Sequence, residues 1–309
     1  ALKLANELGK DGWILGGGQD TYGWLKDRAK HPEAMIDLNG IKELKGISKK
    51  KDGIVIGAAT ILREIIQSPQ INNNFSLLAN AAKRVASPQI RNVGTLGGNL
   101  IQDTRCWYYR RGLDCYRAGG NLCYANGPQA MNREHAVFGA SRCVAVSPSD
   151  TATALVALEA EMYIQSSNGQ RKLSADDFFV GPDTHITSMT ALRSDEILTA
   201  IHLPKKWANQ QFYWEKIADR DVWDFALVSI ATAIRTENKR ITESRFVCGG
   251  VACKPYRLIE IENAINGEIL DNHIGERVAP LASIDGKPLN YNHFKLPLME
   301  NLVRRALRG

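Results

Sequence analysis

No run of this 309-residue chain is apolar for long enough to cross a membrane. The longest apolar stretch, residues 225–234, falls well short of the ~20 residues a spanning helix needs. The opening residues lack the basic, apolar and small-residue order of a signal peptide. A cytoplasmic location is therefore expected, with the periplasm still open. The sequence has no Gly-x-Ser-x-Gly, no His-Glu-x-x-His and no Walker loop, so no nucleophile–base pair or phosphate loop of those kinds is present. It also lacks Gly-x-Gly-x-x-Gly, which leaves a Rossmann assignment unsupported. Aromatic residues make up only 7% and are not interleaved with basic ones, and the excess of 39 Lys and Arg over 33 Asp and Glu is spread along the chain. Nucleic-acid binding is discounted on both grounds. The one compact basic run, Lys49-Lys50-Lys51 before Asp52-Gly53, reads as a solvated hairpin tip.

What is present is an ordinary globular composition, 44% hydrophobic and 23% charged, in a chain long enough for two domains. We place their boundary after the strand-like run 197–203, giving domains 1–205 and 206–309. In the first, Trp13-Ile14-Leu15 reads as a buried strand. It runs into Gly16-Gly17-Gly18-Gln19-Asp20-Thr21 and then a helix from Tyr22. Strand, glycine turn and helix is the context in which backbone N–H groups can face a phosphate. A second glycine loop follows at Val93-Gly94-Thr95-Leu96-Gly97-Gly98-Asn99, after a helix predicted to stop at Ser87-Pro88. Asp150 closes Ser147-Pro148-Ser149-Asp150, where its carboxylate could bind a ribityl hydroxyl or merely cap the next helix. The second domain reads as strands at 211–217, 225–234 and 241–247, then helices at 258–264 and 297–307, a small α+β unit.

Between the second glycine loop and Asp150 lie four of the six cysteines, as Cys106-x8-Cys115-x7-Cys123-x19-Cys143. Disulfides would need an oxidising compartment, for which there is no signal. Structural zinc usually uses close Cys-x2–4-Cys pairs, which are absent. An iron–sulfur cluster tolerates wide spacing, because each corner takes its thiolate from a separate excursion of the chain. Cluster, zinc and unrelated thiols all remain open at this point. Arg105, Arg110, Arg111 and Arg117 crowd the same insert, as a solvated basic loop or as cations that favour a reduced cluster. Trp107, Tyr108 and Tyr109 are expected to pack over the site, and His135 to be a hydrogen-bonded loop histidine rather than a ligand. Cys248 and Cys253, flanking Gly249-Gly250, read as buried inert thiols on a strand.

Over nearly its whole length the chain resembles the FAD-binding (medium) subunits of molybdenum hydroxylases of the xanthine dehydrogenase and CO dehydrogenase kind. The resemblance is carried by residues 15–21, Gly94 to Asn99, Pro148-Ser149-Asp150, Asp195-Glu196-Ile197-Leu198 and Phe212 to Lys216. Gly249-Gly250-Val251-Ala252 before Lys254-Pro255-Tyr256-Arg257 completes it. The insert, through Thr104-Arg105-Cys106, Asn132 to Gly139 and Cys143, looks like that of subunits carrying an extra [4Fe–4S] cluster. Those are the bacterial periplasmic aldehyde oxidase and 4-hydroxybenzoyl-CoA reductase types. The resemblance implies a two-lobed α+β FAD-binding domain (PCMH type), with the insert at about 103–145, and a smaller α+β domain like the CO dehydrogenase flavoprotein C-terminal one. It implies that Leu15, Gly16, Gly17, Gly18, Gln19, Asp20 and Thr21 wrap the FAD pyrophosphate. Thr95, Gly98 and Asn99 would contact the pyrophosphate and ribityl region, and Asp150 a flavin-chain hydroxyl. Leu198 would lie against the isoalloxazine and Lys216 would reach it. Cys106, Cys115, Cys123 and Cys143 would hold the cluster. The implied partners are a large molybdopterin subunit, which performs the substrate chemistry, and a small subunit with two [2Fe–2S] clusters. No catalytic residue of its own is expected in the chain. The rival readings are a stand-alone FAD oxidoreductase of the same cofactor fold and a zinc-stabilised binding module.

Overall fold

The computed structural model describes residues 1–271 and 273–308. Strands β1 (Gly12–Leu15) and β2 (Ala34–Asp37) pair in parallel, with helix Thr21–Lys26 between them. Strands β3 (Ile47–Lys50), β4 (Gly53–Gly57), β5 (Glu161–Ser166), β6 (Gly169–Ser174) and β7 (Ile197–Pro204) form an antiparallel sheet in the order β3-β4-β7-β5-β6. The period-two pattern explains its two faces. In β5 Met162, Ile164 and Ser166 are buried while the residues between them are half-buried. The lysine run 49–51 ends β3 and turns into β4, as its Asp-Gly predicts. A second sheet holds β8 (Gln211–Ile217), β9 (Val228–Glu237), β10 (Arg240–Gly249) and β11 (Tyr256–Arg257) in the order β11-β10-β9-β8. The class is α+β.

Helix Asp150–Ala157 joins the two halves. All eight of its residues are buried, and it packs on helix Ser76–Lys83 and on β9 and β10. Its alanines permit this close approach from several sides. Ala231, Ala233 and Val247 of the second sheet share one core with Leu77, Leu78, Leu155 and Ile201 of the first half. Each leucine or isoleucine buried there contributes about 1.5–3 kcal/mol. Residues 103–145 contain only helix Trp107–Arg110 and two single turns, yet Val137 and Phe138 belong to the core of the C-terminal half. Among the described residues no helix is long and apolar enough to cross a membrane.

Two local expectations are corrected. Pro88 does not merely end a helix. It opens a helical turn, Pro88–Arg91, capped by Ser87, because proline at a first helical position gives up an N–H that has no partner there. The strand expected from residue 225 starts at Val228 instead. Residues 218–227 fold back as a loop, with the Trp223 N–H donating to Ala86 O at 3.0 Å and the Leu227 N–H to Ile217 O at 2.9 Å.

Candidate functional site

The two glycine loops touch. A Cβ on Gly17 would lie 2.2 Å from Val93 O and 2.8 Å from Gly94 Cα, so only glycine lets the main chains meet. Asn39 Nδ2 donates to Gly16 O at 3.0 Å and Trp13 Nε1 to Thr21 Oγ1 at 3.0 Å, which holds the first loop open on its other side. Thr95 caps the short helix Leu96–Ile101, accepting from the Gly98 N–H at 3.0 Å. Together the loops bound a cleft of about 490 Å³, large enough for a cofactor. Gly16, Gly17, Gly18, Gln19, Asp20, Thr21, Thr95, Gly98, Asn99, Asp150 and Leu198 all line it. Two of the expected residues do not. Leu15 is buried at the end of β1, and Lys216 stands behind Asp150.

Lys216 Nζ donates to Asp150 Oδ2 at 2.6 Å and to Arg84 O at 3.2 Å, with both charged side chains almost fully buried. Burial pushes the Asp150 carboxyl above its ordinary range, opposed by Lys216 and Arg84. Asp150 opens its helix, so the helix dipole also favours its charge. Asn99 is equally constrained: its Oδ1 accepts from Ser149 Oγ at 2.7 Å and Thr151 Oγ1 at 2.5 Å. This leaves its amide nitrogen as the free donor toward the cleft. The sequence placed a cofactor contact at Asp150. It did not show that a lysine 66 residues away would neutralise it.

The other rim of the cleft carries a buried carboxylate, Glu196. Desolvation would raise its pKa, but hydrogen bonds from Arg171 (2.7 Å) and from the Arg193 N–H (2.8 Å) and guanidinium outweigh this and hold it at about 2. A depressed carboxyl contributes stability above its unfolded value, near 4.5, and loses that contribution as pH falls toward 2. Stability measured in urea from pH 6 down to pH 3 should therefore fall more steeply for the native chain than for Glu196→Gln. Equal slopes would show that the pairing contributes nothing.

Asp20 does not face only the cleft. Its Oδ2 accepts from the Trp24 indole and from the Asp103 N–H, both at 3.2 Å, and its Oδ1 from Arg105 at 3.1 Å and from Arg110. Arg110 also lies over the Trp24 ring, 3.9 Å from its centre. Arg117, buried, forks onto Asp103 at 2.6 and 3.0 Å and donates to Ile186 O. Arg105 and Arg110 thus staple the insert to the first glycine loop through Asp20, and Arg117 ties Asp103 to Ile186 O, while Arg111 is exposed. Trp107 is corrected too: it is 46% exposed, while Tyr109 packs inward on Trp24.

The four insert cysteines are drawn toward one region. Cys106 packs on one side with Trp24, Tyr109 and Cys115 and on the other with Cys143 and Cys253. Burial pushes the Cys106 thiol up to about 12 and the Cys123 thiol upward, and Cys143 adds to both shifts. The Cys143 thiol is held below its ordinary range by the neighbouring Cys253 thiol, despite its burial. Cys253 is not on a strand and not isolated. Its sulfur lies 2.7 Å from Ala145 O, against the insert. The sequence could not signal this, since Cys253 is 110 residues from Cys143. His135 Nε2 lies 3.3 Å from Cys106 Sγ, and burial together with Lys295 holds its pKa down at about 4. Lys295, wholly buried, donates to His135 O at 2.9 Å and to Gly250 O at 2.5 Å, and burial lowers it to about 7. Among the described residues no group of three His, Cys, Asp or Glu side chains is placed to hold a single metal ion.

Residues 1–206 match the family model described as the FAD binding domain in molybdopterin dehydrogenase, and residues 214–309 that of the CO dehydrogenase flavoprotein C-terminal domain. The chain is 30% identical to the carbon monoxide dehydrogenase medium chain of Hydrogenophaga pseudoflava, covering 100% of this chain and 92% of that one. It is 32% identical to the aldehyde oxidoreductase FAD-binding subunit PaoB of Escherichia coli, over 79% of this chain and 76% of the other. A solved carbon monoxide dehydrogenase from H. pseudoflava superposes with a TM-score of 0.78 at 27% identity, over 99% of this chain and 91% of that one.

Proposed function

This chain belongs to the FAD-binding medium subunits of molybdopterin dehydrogenases, the family of the CO and xanthine dehydrogenase flavoproteins, and from that premise we propose that it conducts electrons. They would pass through FAD between an iron–sulfur subunit and an external acceptor. A large molybdopterin subunit would carry out the substrate chemistry. The observation that carries this reading is the cleft itself, walled by two glycine loops in contact and closed by Asp150. The residues fit the cofactor. Gly16 to Thr21 bring main-chain N–H groups to a diphosphate, Asn99 offers its amide and Asp150 an acceptor to chain hydroxyls, and Leu198 supplies an apolar wall. Bound FAD supplies a centre that exchanges electrons singly or in pairs. The chain's part is to orient that centre, exclude water from it and hold charges at fixed distances. Lys216 acts here through Asp150, keeping the carboxylate ionised and aimed.

The second element of the proposal is a [4Fe–4S] cluster on Cys106, Cys115, Cys123 and Cys143. Four thiols gathered by one insert fit a cluster better than a single ion, because each corner of a cubane binds its own thiolate and the sulfurs need not converge on one point. Loading would have to displace the thiol protons that burial holds on Cys106 and Cys123. A stand-alone oxidoreductase would need its own substrate acid and base, whereas the carboxylates Asp20, Asp150 and Glu196 on the cleft are each held in ion pairs.

Neither glycine loop holds a His or Cys to form a flavin bond, so the FAD is expected to be noncovalent. Anaerobically purified chain, co-produced with its partners, should release its flavin into the supernatant on acid precipitation. Counted with the small subunit's two [2Fe–2S] clusters, the complex should hold about eight iron and eight sulfide per flavin, falling to about four of each in Cys143→Ser. Flavin kept in the pellet refutes the noncovalent site, and stoichiometric zinc without sulfide refutes the cluster.

A further inference from the structure

His135 is 4% exposed and sits on a strap that the C-terminal half clamps. Its carbonyl accepts from Lys295 Nζ at 2.9 Å and from Asn292 Nδ2 at 3.0 Å, both residues being wholly buried. The next N–H, that of Ala136, donates to Val144 O at 2.8 Å, so His135 and Cys143 ride on paired stretches of backbone. Lys295 and Asn292, by gripping the carbonyl, fix where the imidazole stands. Its Nε2 lies 3.3 Å from the Cys106 sulfur. Its Nδ1 is buried and has no hydrogen-bond partner among the described residues. Cys106 is anchored as well, its N–H donating to Thr104 Oγ1 at 3.2 Å.

We infer that His135 is a positioning residue for the proposed cluster: its Nε2–H donates to the Cys106 sulfur and raises the cluster's reduction potential. The inference rests on Cys106 being an iron ligand. A sulfur bound to iron has no proton to give, so it can only accept, and the ring nitrogen beside it is the donor. The other tautomer would bury an N–H at Nδ1 without an acceptor and set a nitrogen lone pair against the sulfur. A hydrogen bond to a ligand sulfur draws electron density from it. It therefore stabilises the reduced cluster, with one more negative charge, more than the oxidised one. Burial of the ring keeps this bond out of competition with water.

The test compares His135→Leu, which keeps bulk without a donor, with His135→Gln, whose amide nitrogen can stand in for Nε2. Both are made in the complex co-produced with its partners. An anaerobic potentiometric titration follows the reduced [4Fe–4S] signal by electron paramagnetic resonance, at temperatures that separate it from the slower-relaxing [2Fe–2S] signals. His135→Leu should move the cluster's reduction equilibrium about tenfold against the reduced form, equal to about 59 mV for a one-electron couple. Iron should stay at about eight per flavin. His135→Gln should recover most of that shift. A Leu variant at the native potential, or a Gln variant as low as the Leu one, overturns the hydrogen bond. Loss of the cluster from both variants makes His135 a ligand or a scaffold and overturns it too. A native complex with only about four iron per flavin refutes the cluster itself, and this inference with it.

Discussion

Lys216→Ala is expected to cost about 3–5 kcal/mol of folding stability, the usual cost of leaving a buried charge without its partner, and to empty the chain of flavin. The ammonium sits 2.6 Å from Asp150, water is excluded from both, and Asp150 stands on the wall of the cleft. Without the lysine, the carboxyl, already pushed up by burial, would rise further and take a proton instead. The sign of the pH effect follows. A folded pKa raised above the unfolded one gives a contribution that is present at low pH and lost as pH rises. The gap between variant and native chain should therefore be widest at neutral pH and narrow toward pH 4. Urea midpoints across that range, with flavin counted by absorbance, read both effects. The paired replacement Asp150→Asn with Lys216→Met should regain part of the stability, since no charge is stranded, but not the flavin. Flavin retained at native stoichiometry in Lys216→Ala would show that the pair is only structural.

Gly17→Ala should be nearly as damaging, through the backbone rather than charge. The added methyl would meet Val93 O at 2.2 Å and Gly94 Cα at 2.8 Å, and neither can rotate away. The loops must separate, at about 1–3 kcal/mol for an overpacked contact. Because the same contact shapes the proposed diphosphate seat, affinity for FAD should fall at least about tenfold, equivalent to 1.4 kcal/mol. Gly40→Ala is the control, since nothing lies within 4 Å of its added carbon. Fluorescence titration of flavin-stripped protein measures both. Equal affinities for the two variants would mean that the loop contact does not shape the site.

Much of this was legible in the amino-acid order because its signals are local. Glycines between a strand and a helix announced the first loop, and Asp52-Gly53 after the lysine run announced the turn joining β3 and β4. What was not legible depends on residues far apart in sequence. Asp20 read as a cleft residue, yet arginines 85 and 90 residues later turn it into the anchor of the insert. The apolar run from Phe225 read as strand, but the chain must first bend back to place Trp223 against Ala86, and only tertiary packing decides that. Cys253 read as inert because nothing near it in the chain hints at Cys143.

The buried Lys295 bears on how the polypeptide is made. Its two acceptors, His135 O and Gly250 O, belong to segments that leave the ribosome long before the helix bearing it. The strap around His135 therefore cannot be locked until Lys295 itself has been made, and closing contacts 160 residues apart is intrinsically slow. The nascent chain thus passes through an interval in which the thiols are present but not yet clamped. If the insert takes up the proposed cluster, iron delivered during that interval would meet an open insert, and iron arriving afterwards a closed one.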